Sequence, residues 1–150
     1  PQPTVSTARV EYPGGTIVDV SEFAAMLMTL AKANSLHWAR MVKEIDRGGH
    51  VRQALRIFQA RDTERNGFLT WKNREVRDYI LAVFGYYGLA PPSEMQTYEL
   101  YTRFDVDRNM SLSARDCICL VDTFLRACFA VEPRDTRAAP VPSASPPAPP

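Results

Sequence analysis

The chain has 150 residues, 45% of them hydrophobic and 10% aromatic, enough for one domain with its own core. Eighteen basic and 17 acidic residues leave a net charge of +1, so no global field points to nucleic acid or an anionic membrane as partner. No run of about 18 apolar residues is present to span a membrane as a helix.

Residues 1 to 18 contain a Pro13-Gly14-Gly15 turn and little periodicity, and are expected to form a flexible or loosely docked arm. The chain opens on Pro1 with no initiator Met, and no charged segment leads into an apolar block. We therefore expect a piece of a longer chain, without a secretory signal. Asp19 and Glu22 have the spacing of a capping box ahead of a helix, EFAAMLMTLAKA, with Phe23, Met26, Leu27 and Leu30 on one face. A second helix, SLHWARMVKEID, carries Leu36, Met41, Val42 and Ile45 and ends at Gly48-Gly49. A third is predicted over HVRQALRIFQAR, up to Asp62, and a fourth over WKNREVRDYILAVFGYY, stopping before Gly88, Pro91 and Pro92. Ser93 caps a fifth, SEMQTYELYTRF, and the sixth follows Ser113 through ARDCICLVDTFLRACFAV. No strand of useful length is evident. The fold expected is all-α.

Basic residues thicken between Arg40 and Arg65, a pattern of solvated helix faces or of a docking surface for an acidic partner. Cys117, Cys119 and Cys128 are an odd set on one predicted helix. Cys117 and Cys119 point to different sides of it and form no metal clamp there, so reduced thiols in a cytoplasmic protein are expected. From Pro133 to Pro150 the composition turns to Pro, Ala and Ser, which predicts a disordered tail of polyproline-II character. It contains two PxxP registers, Pro146 to Pro149 and Pro147 to Pro150, that suit a linker or a ligand for a proline-reading domain. Catalysis finds no support. His37 and His50 have no nucleophile at a recognisable spacing, and there is no phosphate-cradling glycine loop.

The informative stretch is FDVDRNMSLSARD, residues 104 to 116. Asp105, Asp107, Asn109, Ser111, Ser113 and Asp116 place oxygens at steps of two and then three. Side chains at loop positions 1, 3, 5, 9 and 12, with the Ser111 carbonyl at position 7, would offer calcium the hard oxygen shell it prefers. Leu112 would hold a short pairing with a partner loop. This stretch resembles the loop of an EF-hand, of the calmodulin-type superfamily. A second copy lies upstream in RDTERNGFLTWKNREV, where Asp62, Glu64 and Asn66 repeat the alternation, Gly67 gives the turn and Leu69 matches Leu112.

The resemblance implies a pair of helix-loop-helix units, at about residues 50–87 and 93–131, preceded by helices over 19–47. It implies Ca²⁺, with Mg²⁺ as an alternative, held by Asp62, Glu64, Asn66, the Phe68 carbonyl, Thr70 and a closing carboxylate, and by the six downstream residues. Both loops depart from the pattern. Met110 replaces the turn glycine, and Asp116 replaces a longer glutamate. Position 12 of the upstream loop is Asn73 by plain counting. Counting from Asn73, however, puts Arg74, Arg77, Asp78 and Leu81 on the inner face of the following helix, whereas counting from Glu75 puts Val76, Tyr79, Ile80 and Val83 there. Two residues rotate a helix by roughly 200°, so the hydrophobic phase assigns the closing place to Glu75 in a lengthened loop. The functions implied are a calcium sensor that presents an apolar groove to a helix of a partner or of the parent chain, or a calcium-insensitive structural adaptor.

Overall fold

The computed structural model describes residues 9–12 and 17–131. The Pro-rich tail, and with it the disorder expected there, lies outside the described residues. What is described is mostly helical. Two short strands, β1 (Arg9–Glu11) and β2 (Ile17–Asp19), pair antiparallel and lead into a 3-10 turn at Val20–Phe23. Helices α1 (Ala24–Ala33), α2 (Trp38–Asp46) and α3 (Gly49–Arg61) follow. Strand β3 (Phe68–Thr70) precedes α4 (Glu75–Tyr86), and α5 (Glu94–Phe104) is joined through β4 (Ser111–Ser113) to α6 (Ala114–Phe129). No helix of the described residues is long and apolar enough to cross a membrane.

Helix α6 is the axis of the molecule. From Leu120 to Phe129 all but Arg126 are buried, and the helix packs against α1, α2, α3, α4 and α5. A stretch buried on nearly every face must be enclosed on all sides. The N-terminal helices do part of that enclosing. Leu27 and Leu30 of α1 and Met41 and Ile45 of α2 are buried in the same core as Phe124 and Phe129. The reversal between α2 and α3 uses a glycine for its left-handed residue, and the next glycine packs against the Glu44 side chain. Gly48 has φ +78, and a Cβ on Gly49 would overlap the Glu44 carboxylate.

Several expectations need correction. Of the arm expected over residues 1–18, only residues 9–12 and 17–18 are described, and these are paired and docked. The β1–β2 pairing fixes its register, and Tyr12 is half-buried against Phe104 with its hydroxyl 2.8 Å from Asp122 Oδ2. Asp19 and Glu22 do not form a capping box. Asp19 Oδ1 accepts from the Ser21 N–H and hydroxyl, which closes a tighter turn, and Glu22 pairs instead with Arg103 at 2.9 Å. Leu36 does not face the core but is 96% exposed, because residues 35–37 form a separate 3-10 turn that breaks the helical phase. The fourth helix begins at Glu75 rather than Trp71, for reasons that belong to the loop before it.

Elsewhere the periodicity places the core as expected. Leu100, Tyr101 and Phe104 are buried, as are Cys117, Leu120, Val121 and Phe124. The Ser93 capping box is complete, with Ser93 accepting from the Gln96 N–H and Gln96 accepting from the Ser93 N–H. The three cysteines are free. Burial pushes their thiols up, Cys119 to about 12, so they stay protonated and unreactive at neutral pH.

Candidate metal centre

The chain turns between α3 and β3, and between α5 and β4, in the same way. Each turn starts with an aspartate that ends the preceding helix, Asp62 with φ −82 and ψ 70, Asp105 with φ −86 and ψ 66. The oxygens of each carboxylate accept backbone N–H groups four and five residues on. For Asp62 these come from Asn66 at 3.2 Å and Gly67 at 2.8 Å. For Asp105 they come from Asn109 at 3.1 Å and Met110 at 2.9 Å. Asn66 Oδ1 then accepts from the Phe68 N–H and Asn109 Oδ1 from the Ser111 N–H. Each of these three bonds recurs at one offset, 43 positions, the interval from Asp62 to Asp105.

The backbone conformation repeats as well. Arg65 and Arg108 lie in the left-handed region at φ 54 and 53, and so do Gly67 and Met110 at φ 83 and 65. Met110 therefore holds a conformation that favours glycine, at a cost of roughly 1–2 kcal/mol. Strands β3 and β4 lie antiparallel with Leu69 opposite Leu112, both fully buried, and the Trp71 N–H donates to the Met110 carbonyl. The two turns are thus locked back to back beneath the helices.

Closing the upstream loop involves two residues rather than one. In the downstream loop the Asp116 N–H donates to Ser113 Oγ at 3.2 Å. Its upstream counterpart at the same offset is the Asn73 N–H, which donates to Thr70 Oγ1, also at 3.2 Å. By backbone bonding, then, Asn73 stands where Asp116 stands. The carboxylate comes from elsewhere. Glu75 Oε1 accepts from the Thr70 N–H at 2.8 Å and from the Thr70 hydroxyl at 3.1 Å, so its acid folds back over the loop. The two extra residues are absorbed in a turn over 71–74 that ends with Arg74 at φ 66, and α4 starts only after it. The helix emerges with Val76, Tyr79, Ile80 and Val83 buried, the phase that the Glu75 count requires.

The remaining candidate ligands are distributed unevenly. Asp62 and Asp105 are buried, and Thr70, Glu75, Ser111, Ser113 and Asp116 are partly so. Glu64, Asn66, Phe68, Asp107 and Asn109 are exposed. Among the described residues no three acidic, His or Cys side chains converge as a metal cage would require. The carboxylates of each turn are therefore spread along it, and amide, hydroxyl and carbonyl oxygens lie between them. Oxygen donors of this kind are the type that hard cations prefer, where zinc favours nitrogen and sulfur. Sequence reasoning missed Tyr101, whose hydroxyl donates to Asp105 Oδ2 at 2.8 Å; its upstream counterpart is Phe58, so only the downstream aspartate has this bond. Its spacing four residues before Asp105 on one helix face was the available signal.

No family model matches the chain, and no curated protein or solved structure shows significant similarity to it.

Proposed function

We propose that residues 50–131 are a pair of EF-hand units that bind a divalent cation, calcium before magnesium. The ligands would be Asp62, Glu64, Asn66, the Phe68 carbonyl, Thr70 and Glu75 in one loop. In the other they would be Asp105, Asp107, Asn109, the Ser111 carbonyl, Ser113 and Asp116. The observation that carries this reading is the recurrence, at one offset, of the same carboxylate bonds and left-handed residues in two turns paired through Leu69 and Leu112. A cation, when bound, would supply the charge that draws the spread oxygens together. On this side of the chemistry the chain's own parts act as levers. Glu75 is the first residue of α4, so a movement of its carboxylate is transmitted to a helix whose other face is core. Asp116 lies in the first turn of α6. The protein would act as a sensor, cation occupancy reorienting these helices to alter the apolar surface shown to a partner protein.

A second reading, a structural adaptor insensitive to calcium, draws on a different observation. Asp62 and Asp105 already spend both oxygens on backbone N–H groups, which shapes the turns without an ion, and α1 and α2 already cover α3 and α6. Calcium titration by calorimetry separates the two. A sensor binds calcium, Glu75→Gln weakens the upstream site by at least about tenfold, the loss that even an outer-shell partner causes, and Asn73→Ala does not. No calcium retained at millimolar concentration would leave only the adaptor.

A further inference from the structure

Three of the chain's large side chains lie at or beyond the edge of the core, and Trp71 packs against it from outside. Trp71 sits in the upstream insertion, Met110 bears a left-handed strain that glycine would relieve, and Met95 is 72% exposed on α5. All three line one open cleft of about 580 Å³ together with Tyr98 and Glu94. Its floor is an aromatic stack. Trp71 lies on Tyr101 with centroids 4.9 Å apart, and Tyr98 leans against Trp71 at 5.0 Å with its plane tilted by 57°. Among the described lining residues the one charged side chain, Glu94, is ion-paired with Arg77, so the cleft suits an uncharged occupant.

We propose that this cleft is the docking site of the chain's own Pro-rich tail, residues 138–150. This goes beyond the cation-binding reading and does not rest on it. The tail segment AAPVPSASPPAPP has six prolines and no charged side chain. Polyproline-II segments are read by tilted aromatic pairs, which take proline rings between them while indole N–H and phenol groups such as those of Trp71 and Tyr98 donate to the carbonyls. The reach is sufficient. The tail leaves from the C-terminal end of α6, and Met110 lies just before the strand that enters its N-terminal end. The helix, 16 residues long, separates those points by roughly 24 Å. Residues 132–150 would extend roughly 59 Å as polyproline II.

The test uses the full chain with methyl-¹³C methionine, observed by NMR with a metal chelator present, so that a failure of cation binding has no bearing on the outcome. Replacing Pro146, Pro147, Pro149 and Pro150 by Ser should shift the Met95 and Met110 methyl signals and leave that of buried Met41 in place. A peptide of residues 138–150 added to the Ser-substituted chain should restore them. In a Trp71→Ala background the Ser substitutions should cause no shift. Identical Met95 and Met110 signals in the two chains would overturn the proposal, as would a shift extending to Met41. Signals that change on dilution would assign the cleft to the tail of a second copy, and overturn docking within one chain.

Discussion

Asp122 shows what a single residue does in this molecule. Its Oδ1 accepts from His50 Nε2 at 2.6 Å and Arg126 Nε at 2.8 Å, and its Oδ2 lies 2.8 Å from the Tyr12 hydroxyl, so one carboxylate joins α3, α6 and the segment after β1. Burial works to raise its pKa. The His50 bond, the Arg126 charge and the Tyr12 bond outweigh that and hold it below the usual carboxylate value. A carboxyl depressed on folding stabilises fully above its unfolded pKa of about 3.9, and that stabilisation fades as pH falls through the folded value. Asp122→Ala should therefore cost about 3–5 kcal/mol in urea unfolding at pH 7, and the deficit should shrink at pH 3. A deficit independent of pH would mean that packing, not charge, is what Asp122 supplies. None of this was legible in the sequence. Tyr12 and Asp122 are 110 positions apart, and a lone His and a lone Asp on separate helices announce no partnership.

At the scale of elements, the loop-to-helix junction at residues 71–75 was largely legible. The inward phase of Val76, Tyr79, Ile80 and Val83 fixes where α4 must begin relative to its core, because a helix has only one apolar stripe to bury. What the phase did not reveal is how the chain reaches that start. The turn over 71–74 depends on Arg74 at φ 66, which no propensity of arginine announces. Arg74→Val, a β-branched residue in the left-handed region, should lower stability by about 1–2 kcal/mol, while Arg74→Gly should be tolerated. Thermal unfolding followed by circular dichroism reads both. Equal losses for Val and Gly would show that the arginine side chain, not the backbone conformation, matters there. The junction also reconciles two ways of counting. Local hydrogen bonding obeys the twelve-residue frame at Asn73, and the helix obeys the hydrophobic phase at Glu75.

Across the whole molecule, α1 and α2 are structural members and not appendages. Leu27 and Ile45 are fully buried, and Asn34 ties α1 to the connection after α4 through bonds to both the N–H and the carbonyl of Ala90. Trp38 Nε1 donates to the Phe129 carbonyl at the end of α6. Leu27→Ala should then lose about 2–5 kcal/mol and unfold in a single transition with the rest of the chain. A separate early transition confined to α1 and α2 would contradict that picture. The same packing bears on partner binding. With α1 and α2 over α3 and α6, a partner helix would have to displace them or dock on a different face.

The sequence alone determined the six helical segments to within a few residues, the inward faces of α4, α5 and α6, and the two oxygen-rich turns. Each of these is a local pattern: a period of 3.6, a cap, or alternating acceptors within a dozen residues. Only the tertiary structure decided that the first strands pair, that Leu36 faces water, that Tyr12 reaches Asp122, and that Trp71 and Met110 share a cleft. Those outcomes are settled by contacts between residues far apart in the chain, whose free energies depend on which surfaces meet and leave no periodic mark on the order of amino acids.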